Sequence, residues 1–182
     1  MANYIYGLPN RCISELSAKI LSSPKLLNYI YYTDREHEDV DIFALPTPNA
    51  IELINEHIFI GRRIPRLMDK VGAFIGMRVN RYEPVSNKKS PLLIKKADID
   101  IDVICHKDCQ TTLRGTRDIT IITILQEILE NEDLTGIASN VEIISTTEIL
   151  GLDVDFSGYQ LKLRITGFNL GLLEEEEKDG TD

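Results

Sequence analysis

Apolar and polar side chains alternate along residues 96–105. Ala97, Ile99, Ile101, Val103 and Cys105 hold one parity, and Lys96, Asp98, Asp100 and Asp102 hold the other. Successive side chains of a strand point to opposite faces, so this stretch predicts a β-strand with one oily and one acidic face. A slip of one residue would drive the aspartates into the core, which fixes the register. Residues 159–166 repeat the pattern: Leu161, Leu163 and Ile165 alternate with Gln160, Lys162, Arg164 and Thr166. Set antiparallel beside the first strand, Lys162 and Arg164 stand opposite the aspartates on a wet face. Each such pair contributes roughly 0.2–1 kcal/mol, enough to choose a partner and a register but not to hold a fold.

A third alternating stretch runs from about Phe74 to Val85, with Ile75, Met77 and Val79 set against Gly76, Arg78 and Asn80. A polar turn over 86–91 joins it to the acidic strand as a hairpin. Residues 141–145 and 150–155 predict further extended segments, with a turn at 156–158.

Helical spacing takes over elsewhere. Ile13, Leu16, Ile20 and Leu21 predict a helix after a turn at 7–10. Ser23 and Pro24 read as an N-cap and first helical residue, opening a second helix over 24–32 with Leu26, Leu27, Ile30 and Tyr31 inward. Thr47 and Pro48 repeat that signal ahead of Ile51, Leu53, Ile54, His57 and Ile58, which fit a short helix or an irregular loop. One long helix is predicted over 112–130, starting near Thr111 or Thr112, with Ile121, Ile124, Leu125, Ile128 and Leu129 as its stripe. Its β-branched run at 119–124 favours strand by propensity; length and charged ends decide for helix. Residues 131–133 stop it.

The order of elements predicts an α+β fold: a mostly antiparallel sheet, the long helix on its oily face, and N-terminal helices. We divide the chain into an N-terminal helical and loop segment at 1–73, packing on or extending from the core, an α+β core domain at 74–171, and an acidic tail at 172–182 expected to be disordered.

Charge narrows the function. The formal net charge of the 182 residues is −9, and residues 174–182 hold six acids and one lysine, so the body is only mildly acidic. Phosphate contact needs a basic face, so neither general nor sequence-specific nucleic-acid binding is expected. No apolar run approaches the ~18 residues of a membrane span. The N-terminus lacks a signal-peptide pattern, so a cytoplasmic protein without a membrane partner is expected.

Cys12, Cys105 and Cys109 cannot all pair within one chain and read as reduced thiols. Cys105, His106 and Cys109 are zinc-type ligands, but a structural site needs four, and His37, His57 and Cys12 stand alone. Asp98, Asp100 and Asp102 invite comparison with a metal-dependent nuclease. Alternate strand residues lie about 7 Å apart, whereas paired metals sit about 3.5–4 Å apart and draw ligands from several elements. Balance by Lys162 and Arg164 is simpler. Arg62, Arg63, Arg66 and Lys70 cluster around Pro65, as a solvated loop or as a docking loop for an acidic surface. There is no glycine-rich phosphate loop, no nucleophile elbow, and no histidine clearly paired with Ser or Cys. No catalytic activity, cofactor or metal is expected.

The second half resembles the tail-terminator and tail-completion proteins that join tail to head in long-tailed bacteriophages. The resemblance covers residues 74–170. It rests on the alternating strand 97–105, the single long helix through 116–130, and the closing run 148–166, where Asp153, Asp155 and Gly158 form a polar turn into the last strand. Segment 13–21 is similar to that family's opening helix. The longer N-terminal part at 24–73 and the acidic tail depart from the pattern and leave another head–tail connector layer as the alternative.

The resemblance implies a virion structural protein that forms a homo-oligomeric ring, a hexamer, on the last ring of the tail tube. Its partners would be the tail tube protein and head–tail connector proteins, and its place the virion neck, after assembly in the host cytoplasm. A head-to-tail ring contact needs two different patches on each copy. We take the strand-face residues Asp98, Asp100, Asp102, Lys162 and Arg164, and the loop residues Arg62, Arg63 and Arg66, as those patches. A metal-dependent phage nuclease built on the aspartate row and a small intracellular adaptor are the other hypotheses.

Overall fold

In a computed structural model, the structure describes residues 8–37, 39–61, 64, 70–84, 94–130, 134 and 138–168. The chain opens with helix α1 (Leu8–Leu21), so residues 8–10 are helical rather than a turn. Helix α2 (Pro24–Tyr31) starts as its sequence dictates: the Ser23 side chain accepts a hydrogen bond from the Leu26 N–H, and Pro24 fills the first turn. Its buried face includes Leu26, Leu27, Tyr29 and Ile30, while Tyr31 is 47% exposed. Tyr29 takes the inward place because its ring meets Phe43, with centroids 5.1 Å apart. Helix α3 (Ala50–Leu53) is a single turn capped by Asn49, not Thr47. Ile58, expected on that helix or loop, belongs instead to strand β1 (Ile58–Ile60).

Five strands form the main sheet: β1, β2 (Ala73–Pro84), β3 (Ile94–His106), β6 (Ala138–Glu148) and β7 (Phe156–Phe168). Their spatial order is β1-β2-β3-β7-β6. All neighbours are antiparallel except β1, which runs parallel to β2. The fold is α+β, as predicted, and β2 and β3 pair as expected.

Alternation sorts the sheet residues. Ile75, Met77, Ala97, Ile99, Ile101, Val103, Leu161, Leu163 and Ile165 all point to one face and are at most 1% exposed. Fully burying one such large aliphatic side chain stabilises by about 1.5–3 kcal/mol. Cys12, Leu16 and Ile20 of α1 and Leu26 and Ile30 of α2 join the same interior, with Ile121, Leu125 and Leu129 of α4 (Arg117–Leu129). Core side chains drawn from Cys12 to Ile58 and from Ala73 to Ile165 thus share one interior, and β1 hydrogen-bonds into the sheet.

Three predicted boundaries move. Helix α4 starts at Arg117, not near Thr111 or Thr112, because residues 111–116 make a tight hairpin of β4 (Thr111–Thr112) and β5 (Gly115–Thr116). The Thr112 hydroxyl donates to the Gly115 carbonyl at 2.8 Å, and Gly115 sits at φ +118°. Residues 150–155 are a turn rather than a strand, with the Phe156 N–H donating to the Asp153 carbonyl. Residues 156–158 are already strand. Gly158 lies beside Ile104, where a Cβ would run into the Val103 carbonyl, so this glycine serves close backbone approach and not a turn. The polar turn at 86–91, the helix stop at 131–133 and the acidic tail lie outside the described residues. No described helix is long and apolar enough to cross a membrane.

Candidate functional site

The face of the sheet turned away from the helices carries the charges. Antiparallel register sets Arg164 opposite Asp98, Lys162 opposite Asp100, and Gln160 opposite Asp102, which is the expected pairing of the two strands. Arg164 holds Asp98 through two bonds, Nε to Oδ1 at 2.9 Å and Nη2 to Oδ2 at 3.4 Å. That bonding, against a smaller opposing effect of burial, keeps the Asp98 carboxyl below its ordinary range.

The other two carboxylates look to β2. Arg78 stands opposite Asp100 and spans two acids: Nη2 reaches Asp100 Oδ2 at 3.0 Å, and Nη1 donates to Asp102 Oδ2. Asn80 Nδ2 adds a bond to Asp100 Oδ1 at 3.2 Å, and Gln160 Nε2 one to Asp102 Oδ1 at 2.8 Å. Lys162 faces Asp100 in register but forms no ion pair with it among the described residues. Arg78 was not singled out from the sequence. Its signal was its parity: it alternates with Ile75, Met77 and Val79 across the hairpin from the acidic row.

One expectation is overturned here. The aspartate face was to be solvated, yet Asp98, Asp100 and Asp102 are only 9%, 2% and 9% exposed. Neighbouring strands lie about 4.8 Å apart, so long arginine and amide side chains on both sides reach over a short aspartate and cover it. The surface offered outward is the cationic and amide layer above the carboxylates.

The remaining candidates do not converge. Cys105 lies on the core face, while the adjacent His106 has the opposite parity and packs edge-on against Phe156. The Cys109 thiol approaches the His106 carbonyl at 3.2 Å. Burial pushes all three thiols up, Cys12 to about 12. Among the described residues no three His, Cys, Asp or Glu side chains gather where they could hold a metal ion. Arg62, Arg63 and Arg66 lie outside the described residues; Lys70, from the same cluster, pairs with Glu56 at 3.0 Å.

A second polar cluster was not foreseen. Arg117 is fully buried at the start of α4, donating to the carbonyls of Cys109 and Tyr29, each at 2.6 Å. The Tyr29 carbonyl belongs to the last turn of α2, where helical partners run out and a cation is favoured. Beside it, Asp118 accepts from the Ser157 hydroxyl at 2.8 Å, and Ser157 accepts from Gln110 at 2.6 Å. This cluster ties α4 to α2 and β7, which is a structural task.

The model of one protein family, YomW, matches residues 23–165. No curated protein matches the chain.

Proposed function

Because the chain belongs to the YomW family, which is phage-derived, we propose that it is a virion structural protein forming a ring at the head–tail junction. In this role a homo-oligomer, a hexamer, caps the tail tube as a tail terminator or neck layer and presents a surface to the head connector. The observation that carries the reading is the charged face of the sheet. At one end His57 stacks on Phe74, which shares this face and is buried; along the rest its carboxylates are matched within the subunit by Arg78, Arg164, Asn80 and Gln160. Such a face is polar and fixed in shape, and it meets neighbours through complementary charge more than through apolar area. Lys162, Arg164 and the basic stretch of Arg62, Arg63 and Arg66 supply cations for the neighbouring copy and for the connector.

The reading assigns no catalysis, cofactor or metal. A nuclease would need open carboxylates, and here each one is occupied by basic or amide donors. The test is to mix the purified chain with tail tubes and image the mixture while measuring particle mass. A ring seated on tube ends, with tube growth halted, is expected. A chain that stays a single copy at all concentrations and leaves tubes bare overturns the proposal.

A further inference from the structure

Across the sheet, one row of the charged face alternates in sign from edge to edge. Glu142 of β6 stands beside Arg164 of β7, Arg164 beside Asp98 of β3, and Asp98 beside Arg81 of β2. The inner two form the ion pair described above. The outer two, Glu142 and Arg81, are exposed; each feels the charge of its neighbour in the row, Arg164 or Asp98, but among the described residues neither forms a close ion pair or side-chain hydrogen bond.

Both outer residues lie on strand edges that are open among the described residues. Among the described residues β6 pairs with β7 and, at its first residue Ala138, with Leu134, which leaves the edge at Glu142 open. β1 pairs with β2 at Ile75, Gly76 and Met77, and among the described residues β2 from Arg78 onward has no neighbour on that side. β6 also carries no proline and no lysine, two residues that commonly keep edges from pairing. Three antiparallel pairings separate β6 from β2, so the two strands run in opposite directions. A second copy continuing the sheet would therefore bring β6 against β2 as an antiparallel pair.

We propose that β6 of one copy docks on the open part of β2 in the next, with Glu142 paired to Arg81, so that the alternating row runs on from subunit to subunit. The proposal rests on the ring reading and names the contact that builds the ring. It is a head-to-tail contact between two different patches, as a cyclic assembly requires. Glu142 and Arg81 belong to the same row, so they meet without any shift along the strands. A contact with no such shift is one that can close on itself instead of climbing into a filament. The alternative β6-to-β6 contact lacks this complementarity, because that edge carries Glu142 and Glu148 and no cation. Bulges at 79–81 and 143–145 limit the new ladder to the segments around Arg81 and Glu142. The charge pair then fixes register within a short stretch of backbone pairing.

The experiment uses the full chain, alone and with tail tubes, and compares the wild type with Arg81→Glu, Glu142→Arg and the double exchange by mass measurement. Loss of the ring in each single variant and its return in the double is expected. A second measurement oxidises the Arg81→Cys, Glu142→Cys chain and looks for a covalent ladder on a denaturing gel; the three native thiols are buried and stay silent. A wild-type ring with single variants that assemble unchanged, or a ring that yields no ladder, overturns the edge contact and leaves the ring reading standing. A Glu142→Cys chain that cross-links only into dimers likewise overturns it, in favour of β6-to-β6 pairing. A wild-type chain that remains a single copy with and without tubes removes the ring reading itself.

Discussion

Arg78→Met isolates the guanidinium that bridges two buried carboxylates. Methionine keeps the apolar stem and removes the charge. Side-chain exposure is 19% for Arg78, 3% for Asp100 and 13% for Asp102. After the change Asp100 keeps its bond from Asn80 and Asp102 its bond from Gln160, but neither keeps an ion pair among the described residues. Removing one partner of a buried ion pair costs about 3–5 kcal/mol, because the other charge is left uncompensated. The partial opening above Arg78 lets water and Lys162 approach, so we expect the low end, about 3 kcal/mol, from a total stability on the order of 5–15 kcal/mol. The chain contains no tryptophan, so urea unfolding is best followed by far-ultraviolet circular dichroism. Adding Asp100→Asn should recover part of the loss, since it removes one stranded charge and makes the pair of changes non-additive. Arg78→Met alone costing under about 1 kcal/mol, the range of an exposed pair, would refute a desolvated row. So would full additivity in the double variant.

Two further outcomes follow from the same geometry. Arg164 lowers the Asp98 carboxyl below its ordinary value, so the stabilisation is complete above the unfolded value of about pH 4 and fades as pH falls through the lower folded value. Arg164→Met should therefore flatten the acid-side loss of stability below about pH 4, read as urea midpoints against pH, and an unchanged slope would count against the pair. Cys12 is fully buried with its thiol pushed up to about 12, so an aromatic disulfide reagent at pH 8 should leave it unlabelled until urea is added. Labelling in the native state at the rate of a free thiol would contradict that burial.

Period-two alternation carried much of the fold into view. It set the faces of β2, β3 and β7 and put Lys162 and Arg164 on the side of the aspartates, because a single residue of slip would have buried charge against the helices; which arginine meets which aspartate needed the structure. The cap at Ser23 was equally legible, since proline at the first helical position needs no hydrogen bond. Local rules failed where distant chain decided. β1 has three residues and reads as sheet only once β2 lies beside it. Gly158 looks like a turn residue until the Val103 carbonyl is seen to approach it. Arg117 resembles any surface arginine in sequence, and its burial follows from two backbone carbonyls brought together from residues 29 and 109. The aspartate row was placed correctly and its exposure was not. Parity tells which face a side chain joins, and the length of its neighbours tells how wet that face remains.

The place of β7 has a consequence for the order of events. This strand comes last among the described elements, yet it sits between β3 and β6. Until it arrives, β6 has no strand beside it and stands apart from β1-β2-β3, and Glu142 has no route to Asp98. Arg164 is the rung that connects them. On the reading above, an unfinished subunit carries no continuous strip of alternating sign and cannot be recruited. On that same proposal the interleaved topology would act as a checkpoint, admitting to the growing collar only copies whose folding is complete.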